Sequence, residues 1–181
     1  MIFPKLDTER LTLRQLRLTD ATDLFEYFSR EEVTEYYDLD RFTEVKQAEE
    51  LIENWNEKFN DLFSIRWGIA LKSEDRIIGT CGYHKWAKKH YKAEIGYELS
   101  PRYWGQGYMT EVIESVMKYG FEVLELNRIE ALIHRENASS RRILEKSGFR
   151  EEGVLEEFFY KKKRFVDAVI FSKLQKNKSE F

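Results

Sequence analysis

The stretch Ala93–Thr110, AEIGYELSPRYWGQGYMT, constrains the fold more than any other part of the chain. Ile95, Tyr97 and Leu99 alternate with Glu94, Gly96 and Glu98, the period-two pattern of a strand. Pro101 removes a backbone donor and ends the ladder. Gly105 and Gly107 follow, two apart, just before a long amphipathic run. Residues without a side chain let the backbone turn tightly and come close to a ligand. A helix starting here opens with free N–H groups and the positive end of its dipole. Strand, glycine turn and helix start in this order predict an anion site, with a phosphate-bearing cofactor as its natural occupant.

The rest of the chain supplies a setting for that unit. Leu11, Leu13 and Leu16 read as an opening strand, and Thr19 or Asp20 as the cap of a helix with Ala21, Leu24, Phe25 and Phe28 on one face. Glu32–Phe42 reads as an irregular loop, followed by a helix capped by Thr43 with Ala48, Leu51, Ile52, Trp55 and Phe59 as its stripe. Arg66–Leu71 and Arg76–Tyr83 read as a hairpin, with Gly79 and Gly82 marking a bulge or a close backbone approach, and Trp86–Tyr91 as a basic loop. The helix after the glycine turn points Met109, Val112, Ile113, Val116, Val123 and Leu124 to the core, with Gly120 as a soft spot. Asn127–His134 is a strand and Asn137–Ser147 a helix ended by Gly148. Phe149–Phe159 and Phe165–Leu174 are strands joined through Lys161–Arg164, a solvated turn, and the tail Gln175–Phe181 is polar and frayed. Helices and strands alternate only in part, which predicts a single α/β domain over 1–181 with a mixed sheet of six or seven strands, helices on both faces and a parallel step across the central helix.

Composition excludes several classes. A formal net charge of −3, spread over both signs, argues against a nucleic-acid partner. No apolar run reaches the length of a membrane span, and the opening MIFPKLDTERL lacks the pattern of a secretion signal. The lone cysteine, Cys81, leaves no internal disulfide and fits a reducing cytoplasm. Cys81 and His84 form an isolated Cys-x-x-His, too little for a metal site.

Arg102-x-x-Gly105-x-Gly107, between a strand and a helix, resembles the pyrophosphate loop of the GNAT superfamily of acetyl-CoA-dependent N-acetyltransferases. The wording AEIGYxL…YWGQGYMTE is similar to the ribosomal-protein N-acetyltransferase-like (RimJ/RimL-type) branch, and the resemblance runs from LDTERLTLRQL to FVDAVIFSKL. It implies the strongly twisted GNAT fold and acetyl-CoA as cofactor, with CoA as product. The cofactor-binding residues it implies are Tyr97, Glu98, Leu99, Arg102, Tyr103, Trp104, Gly105, Gln106, Gly107, Tyr108, Met109 and Thr110, with Asn137 and Ser140. It also implies that the neighbouring strand splays from Tyr97–Leu99, freeing backbone groups for the pantetheine arm. Many members carry a tyrosine acid seven positions after the asparagine; that position is Leu144 here, and the branch resemblance shifts the role of thiolate stabiliser or proton donor to Ser140.

An incoming amine must lose a proton before it attacks, so a base is needed. Glu94 and Glu98 share one face of the central strand, and Glu94 occupies the place of a catalytic glutamate in some members; both are equally readable as paired structural acids. His84 is a third candidate, since a free imidazole titrates near neutrality. Tyr36 and Tyr37, with His84, are candidates for the acceptor side, and the acidic loop Glu31–Asp40 suits a cationic acceptor or is simply solvated. The resemblance favours direct attack, through a tetrahedral intermediate, by a protein N-terminal amine. A small amine (polyamine, amino sugar or amino acid) is the alternative, and a non-catalytic CoA-binding sensor or interaction domain the reading from another class. A homodimer is compatible with the family.

Overall fold

The computed structural model describes residues 2–175. Residues 176–181 of the expected frayed tail lie outside this range, but Gln175 is held, its N–H donating to Asn127 O at 3.0 Å. Eight strands form one sheet: β1 (Leu6–Asp7), β2 (Leu11–Arg14), β3 (Ile65–Leu71), β4 (Ile77–Ala87), β5 (Lys92–Leu99), β6 (Arg128–His134), β7 (Arg150–Lys161) and β8 (Arg164–Leu174). Their order is β1-β2-β3-β4-β5-β6-β8-β7. The strand beyond the expected six or seven is β1, two residues too short to show a period, which pairs with Leu13 and Thr12.

Two apolar layers fix the helices. On one face α1 (Ala21–Phe28), α2 (Glu31–Thr34) and α3 (Val45–Asn60) bury Leu24, Phe28, Val33 and Ile52 against Leu16, Ala70 and Ile77. On the other, α4 (Tyr108–Glu122) and α5 (Ala138–Lys146) bury Val112, Ile113, Val116 and Leu144 against Ile95, Ala131 and Phe171. Each fully buried aliphatic side chain is worth about 1.5–3 kcal/mol. The period-3.6 stripes seen in the sequence are therefore the two helix–sheet interfaces. Val123 is a correction: α4 ends at Glu122, and Val123 turns outward, 59% exposed. Gly120 is no soft spot but a packing seat, because a Cβ there would strike the Tyr83 hydroxyl that donates to Val116 O at 2.8 Å.

Other local expectations change for reasons of partnership. The Asp20 carboxylate does not cap α1; it accepts from Arg14 at 2.8 and 2.9 Å and from Arg17 N at 2.7 Å. Helix α3 is capped by Glu44 and Gln47 in a capping box, not by Thr43. The segment read as an irregular loop overlaps the one-turn helix α2, and the basic loop is shorter, since β4 runs to Ala87. Across Gly79 and Gly82 the close approach is real: a Cβ would meet Glu98 O and Ile65 O. Lys161 does not sit in a solvated turn; its ammonium donates to Tyr37 O at 2.8 Å and Leu39 O at 2.9 Å.

The step that makes the site is β5–α4–β6. Both strands run parallel, as a helical crossover requires, and every other pairing is antiparallel. They pair over Lys92–Glu94 with Arg128–Glu130 only. Beyond Glu94, β5 continues along β4 and β6 along β8, so the two diverge.

Candidate active site

The wedge between β5 and β6 opens onto a cleft of about 560 Å³. Its floor is Tyr97, Glu98 and Leu99, the stretch of β5 that has lost its neighbour. An unpaired strand edge offers N–H and C=O groups to an extended, amide-bearing chain. One wall is the loop leading into α4, with Tyr103, Trp104, Gly105, Gly107, Tyr108, Met109 and Thr110 lining it. Gly105 and Gly107 adopt φ of +72° and +80°, where a side chain is strained. Gly107 is the N-cap of α4, so the free N–H groups of the first turn sit at the cleft wall. The Trp104 indole N–H donates to Leu99 O at 2.7 Å and ties the loop to the strand end.

Two loop residues named from the sequence do not line the cleft. Arg102 pairs with Glu26 at 3.1 Å, and the Gln106 side chain folds back to donate to Arg102 O at 3.0 Å. A residue that pattern reading missed, Arg10, clamps the loop instead. Its guanidinium donates to Gln106 O at 3.0 Å and to Glu111 at 2.8 Å, and lies 4.1 Å from the centre of the Tyr108 ring. Nothing in the sequence marks Arg10, because the clamp joins positions ninety-six residues apart.

The opposite wall is α5. Asn137 caps it, its side-chain oxygen accepting from Ser140 N at 3.1 Å. Ser140 is buried, and its hydroxyl lies 2.6 Å from the Tyr97 hydroxyl. Burial pushes the Tyr97 pKa well up, so this phenol stays protonated at neutral pH. Leu144 is fully buried in the core and cannot reach the cleft.

Tyr36 and Tyr37 close the far end of the cleft with Glu32, Val33 and Glu35. His134 stands behind them, 8% exposed, stacked on Phe159 at 4.6 Å and 5.5 Å from the Tyr36 ring. Burial lowers its pKa, so the ring is neutral at neutral pH. The sequence carries a hint of it only in retrospect, as a polar end to an apolar strand.

The two acids differ in surroundings. Glu98 reaches the cleft but is enclosed by the Arg66 guanidinium, by Thr80 and by Tyr27, whose hydroxyl donates at 3.2 Å. Glu94 lies outside the cleft lining, beside the Nε2 of His84 at 2.8 Å and the Lys85 ammonium at 2.9 Å. His84 is thereby placed with Glu94 and not with Tyr36. Burial works against the Glu94 charge, but hydrogen bonds from His84 and Lys85 outweigh it and hold the carboxyl below its usual range. A carboxyl depressed in the folded state stabilises it above the ordinary carboxylate pKa, and that gain is lost as pH falls through the folded value. Glu94→Gln is thus expected to melt below the wild type at pH 7, with the gap closing below about pH 4. A gap that stays constant in thermal melts across this range would show that the charge contributes nothing. Cys81 is fully buried, and burial pushes its thiol up to about 12, which leaves it inert. No group of three His, Cys, Asp or Glu suited to a metal occurs among the described residues, and no helix among them is long and apolar enough to cross a membrane.

Residues 10–150 match the Acetyltransferase (GNAT) domain family. The chain is 42% identical over 171 residues, 94% of its length and 97% of the relative's, to the uncharacterized N-acetyltransferase YoaA of Bacillus subtilis (strain 168). The structure of a GNAT-family acetyltransferase from Bacillus anthracis matches with a TM-score of 0.83 at 27% identity, covering 94% of this chain and 98% of that one. RimL, a ribosomal L7/L12 α-N-protein acetyltransferase in complex with coenzyme A, shares the fold at a TM-score of 0.86 and 15% identity, covering 94% of this chain and 98% of that one. Fold and matches together define the class, an acyltransferase acting on nitrogen. The chain belongs to the GNAT family and uses acetyl-CoA as its acyl donor. The cleft fits that donor: a bared strand edge for the amide-bearing arm, and amides at a helix N-terminus for phosphates.

Proposed function

We propose that the protein acetylates the N-terminal amine of a polypeptide, by direct attack on the thioester held in the β5–β6 wedge. The observation that carries this reading is the surface beside the acceptor end. The β7–β8 hairpin, joined to that end by Lys161 and by the Lys162–Glu31 ion pair at 3.0 Å, exposes Phe158, Tyr160 and Phe165 at 45%, 63% and 62%. A chain continuing past the reacting amine would have this aromatic ledge to lie on; a small amine has no use for it. The branch resemblance in the glycine loop points the same way.

Bound acetyl-CoA supplies an activated carbonyl. The amine adds to the carbonyl carbon to give a tetrahedral intermediate, whose collapse breaks the C–S bond and releases the sulfur as a thiolate. Tyr97 donates to Ser140 in this reading, which turns the Ser140 proton toward the cleft, where it meets the departing sulfur. The first turn of α5 adds the positive end of a helix dipole. At the other end the amine proton passes to bulk solvent at the open side of the cleft, beside Glu32 and Glu35.

Thiol release from acetyl-CoA tests the reading, with three probes: a short peptide with a free N-terminal serine, the same peptide N-blocked but carrying a lysine, and spermidine. Turnover of the free-terminus peptide alone is expected. Spermidine turnover without peptide turnover would establish the small-amine alternative, and no release with any probe would favour a binding domain. In the same assay Ser140→Ala is expected to lower kcat by about 10–100-fold while the acetyl-CoA Kd, measured by calorimetry, stays within about twofold. A loss confined to Kd would make Ser140 a binding residue.

A further inference from the structure

Helix α5 turns a second set of side chains to the cleft besides Asn137 and Ser140. Ser139, Arg142, Ile143 and Lys146 line it, spaced three and four apart and so on one helical face. Arg142 and Lys146 are exposed, and neither has an ion-pair partner among the described residues. The adjacent Arg141 points elsewhere and is neutralised by Glu145 and Glu151. Charge is thus divided along the cleft. Glu32 and Glu35 stand at the acceptor end, and Glu98 is bound to Arg66, while the free charges of α5 are both positive.

The diphosphate already has its donors in the amides that open α4. Two free cations on the neighbouring helix, at the solvent-facing rim, call for a further anion. We propose that Arg142 and Lys146 bind the ribose 3′-phosphate of the cofactor and make the site select CoA over dephospho-CoA. A phosphomonoester carries close to two negative charges at neutral pH, and the arginine fork with a mobile ammonium matches its three oxygens. Exposed pairs of this kind are individually weak. Two acting on one dianion are expected to give about a tenfold preference at low salt, fading as salt is raised.

The proposal rests on acetyl-CoA use, and the test separates the two. Calorimetry compares CoA with dephospho-CoA on the wild type, Arg142→Gln/Lys146→Gln and the control Arg141→Gln. Both altered positions are exposed, and a melting curve checks that folding is intact. The expected result is about a tenfold preference for CoA in the wild type and in Arg141→Gln. In the double variant that preference vanishes while dephospho-CoA affinity is unchanged. Equal weakening of both ligands would move the cations to the diphosphate and overturn the proposal. So would a preference that survives the double change, or a wild type that does not discriminate. If the wild type bound neither ligand, acetyl-CoA use itself would have failed, and the proposal with it.

Discussion

Gly107→Trp is expected to weaken acetyl-CoA binding by at least about 100-fold while leaving a folded protein. Gly107 holds φ at +80° as the N-cap of α4 and lines the cleft. A non-glycine residue in this region costs about 1–2 kcal/mol of backbone strain. A Cβ itself meets nothing nearer than Arg10, at 3.5 Å, so strain and not collision limits an alanine. The indole adds bulk to the cleft wall, in front of the helix amides that the proposed binding mode gives to the phosphates. Gly107→Ala therefore isolates the strain and is expected to weaken binding by about tenfold at most. Calorimetry with acetyl-CoA on both variants checks this, with a melting curve as the folding control. Wild-type affinity in Gly107→Trp would mean that the loop does not hold the cofactor.

The larger effect on stability belongs to the buried pair beneath the cleft. Arg66 and Glu98 are each 7% exposed. Besides Glu98, the guanidinium donates to Thr80 at 2.7 Å, to Gly96 O at 2.9 Å and to the Tyr37 hydroxyl at 2.8 Å, and it lies 5.1 Å from the Trp55 ring centre. Removing one partner leaves the other charge buried and unpaired, a loss of about 3–5 kcal/mol. Arg66→Met and Glu98→Gln are each expected to lower the melting temperature by about 10 °C. The double change should cost less than the sum of the two. The same variants decide whether Glu98 is a structural acid or a base. A structural acid predicts that turnover per folded molecule in Glu98→Gln falls by less than about tenfold. Unchanged stability with turnover lost would make Glu98 the base. Because Arg66 also holds the Tyr37 hydroxyl, Arg66→Met should disturb the Tyr37 wall of the cleft as well.

Legibility in the sequence followed the range of the interactions. The strand, proline stop, glycine turn and helix of 93–110 are local, each set by the period or backbone freedom of a few neighbouring residues, and all four lie where the pattern places them. Gly148 likewise closes α5 at φ +79°. Helix stripes were legible because burial of one face repeats every 3.6 residues. Caps were less so: Asp20 and Thr43 have the right chemistry, but Arg14 draws the first away, and Gln47 with Glu44 displaces the second. The two-residue β1 has no period to read.

The site divides along the same line. The chain's own pattern determined that a glycine turn opens a helix and that Asn137 caps the next one, because a turn and a cap are made by residues within a few positions of each other. Only the tertiary structure decided which charges are free. Glu94 and Glu98 are equivalent on paper, four apart on one face of β5; one faces His84 and Lys85, the other Arg66 from β3 and Tyr27 from α1. Arg10 reaches the loop from the β1–β2 turn, Tyr97 finds Ser140 across forty-three residues, and Lys161 fastens the Tyr37 end of the cleft from the far end of the sheet. Electrostatic environment is a property of whatever lies within a few ångströms, and the sheet brings those neighbours from positions that no local pattern connects.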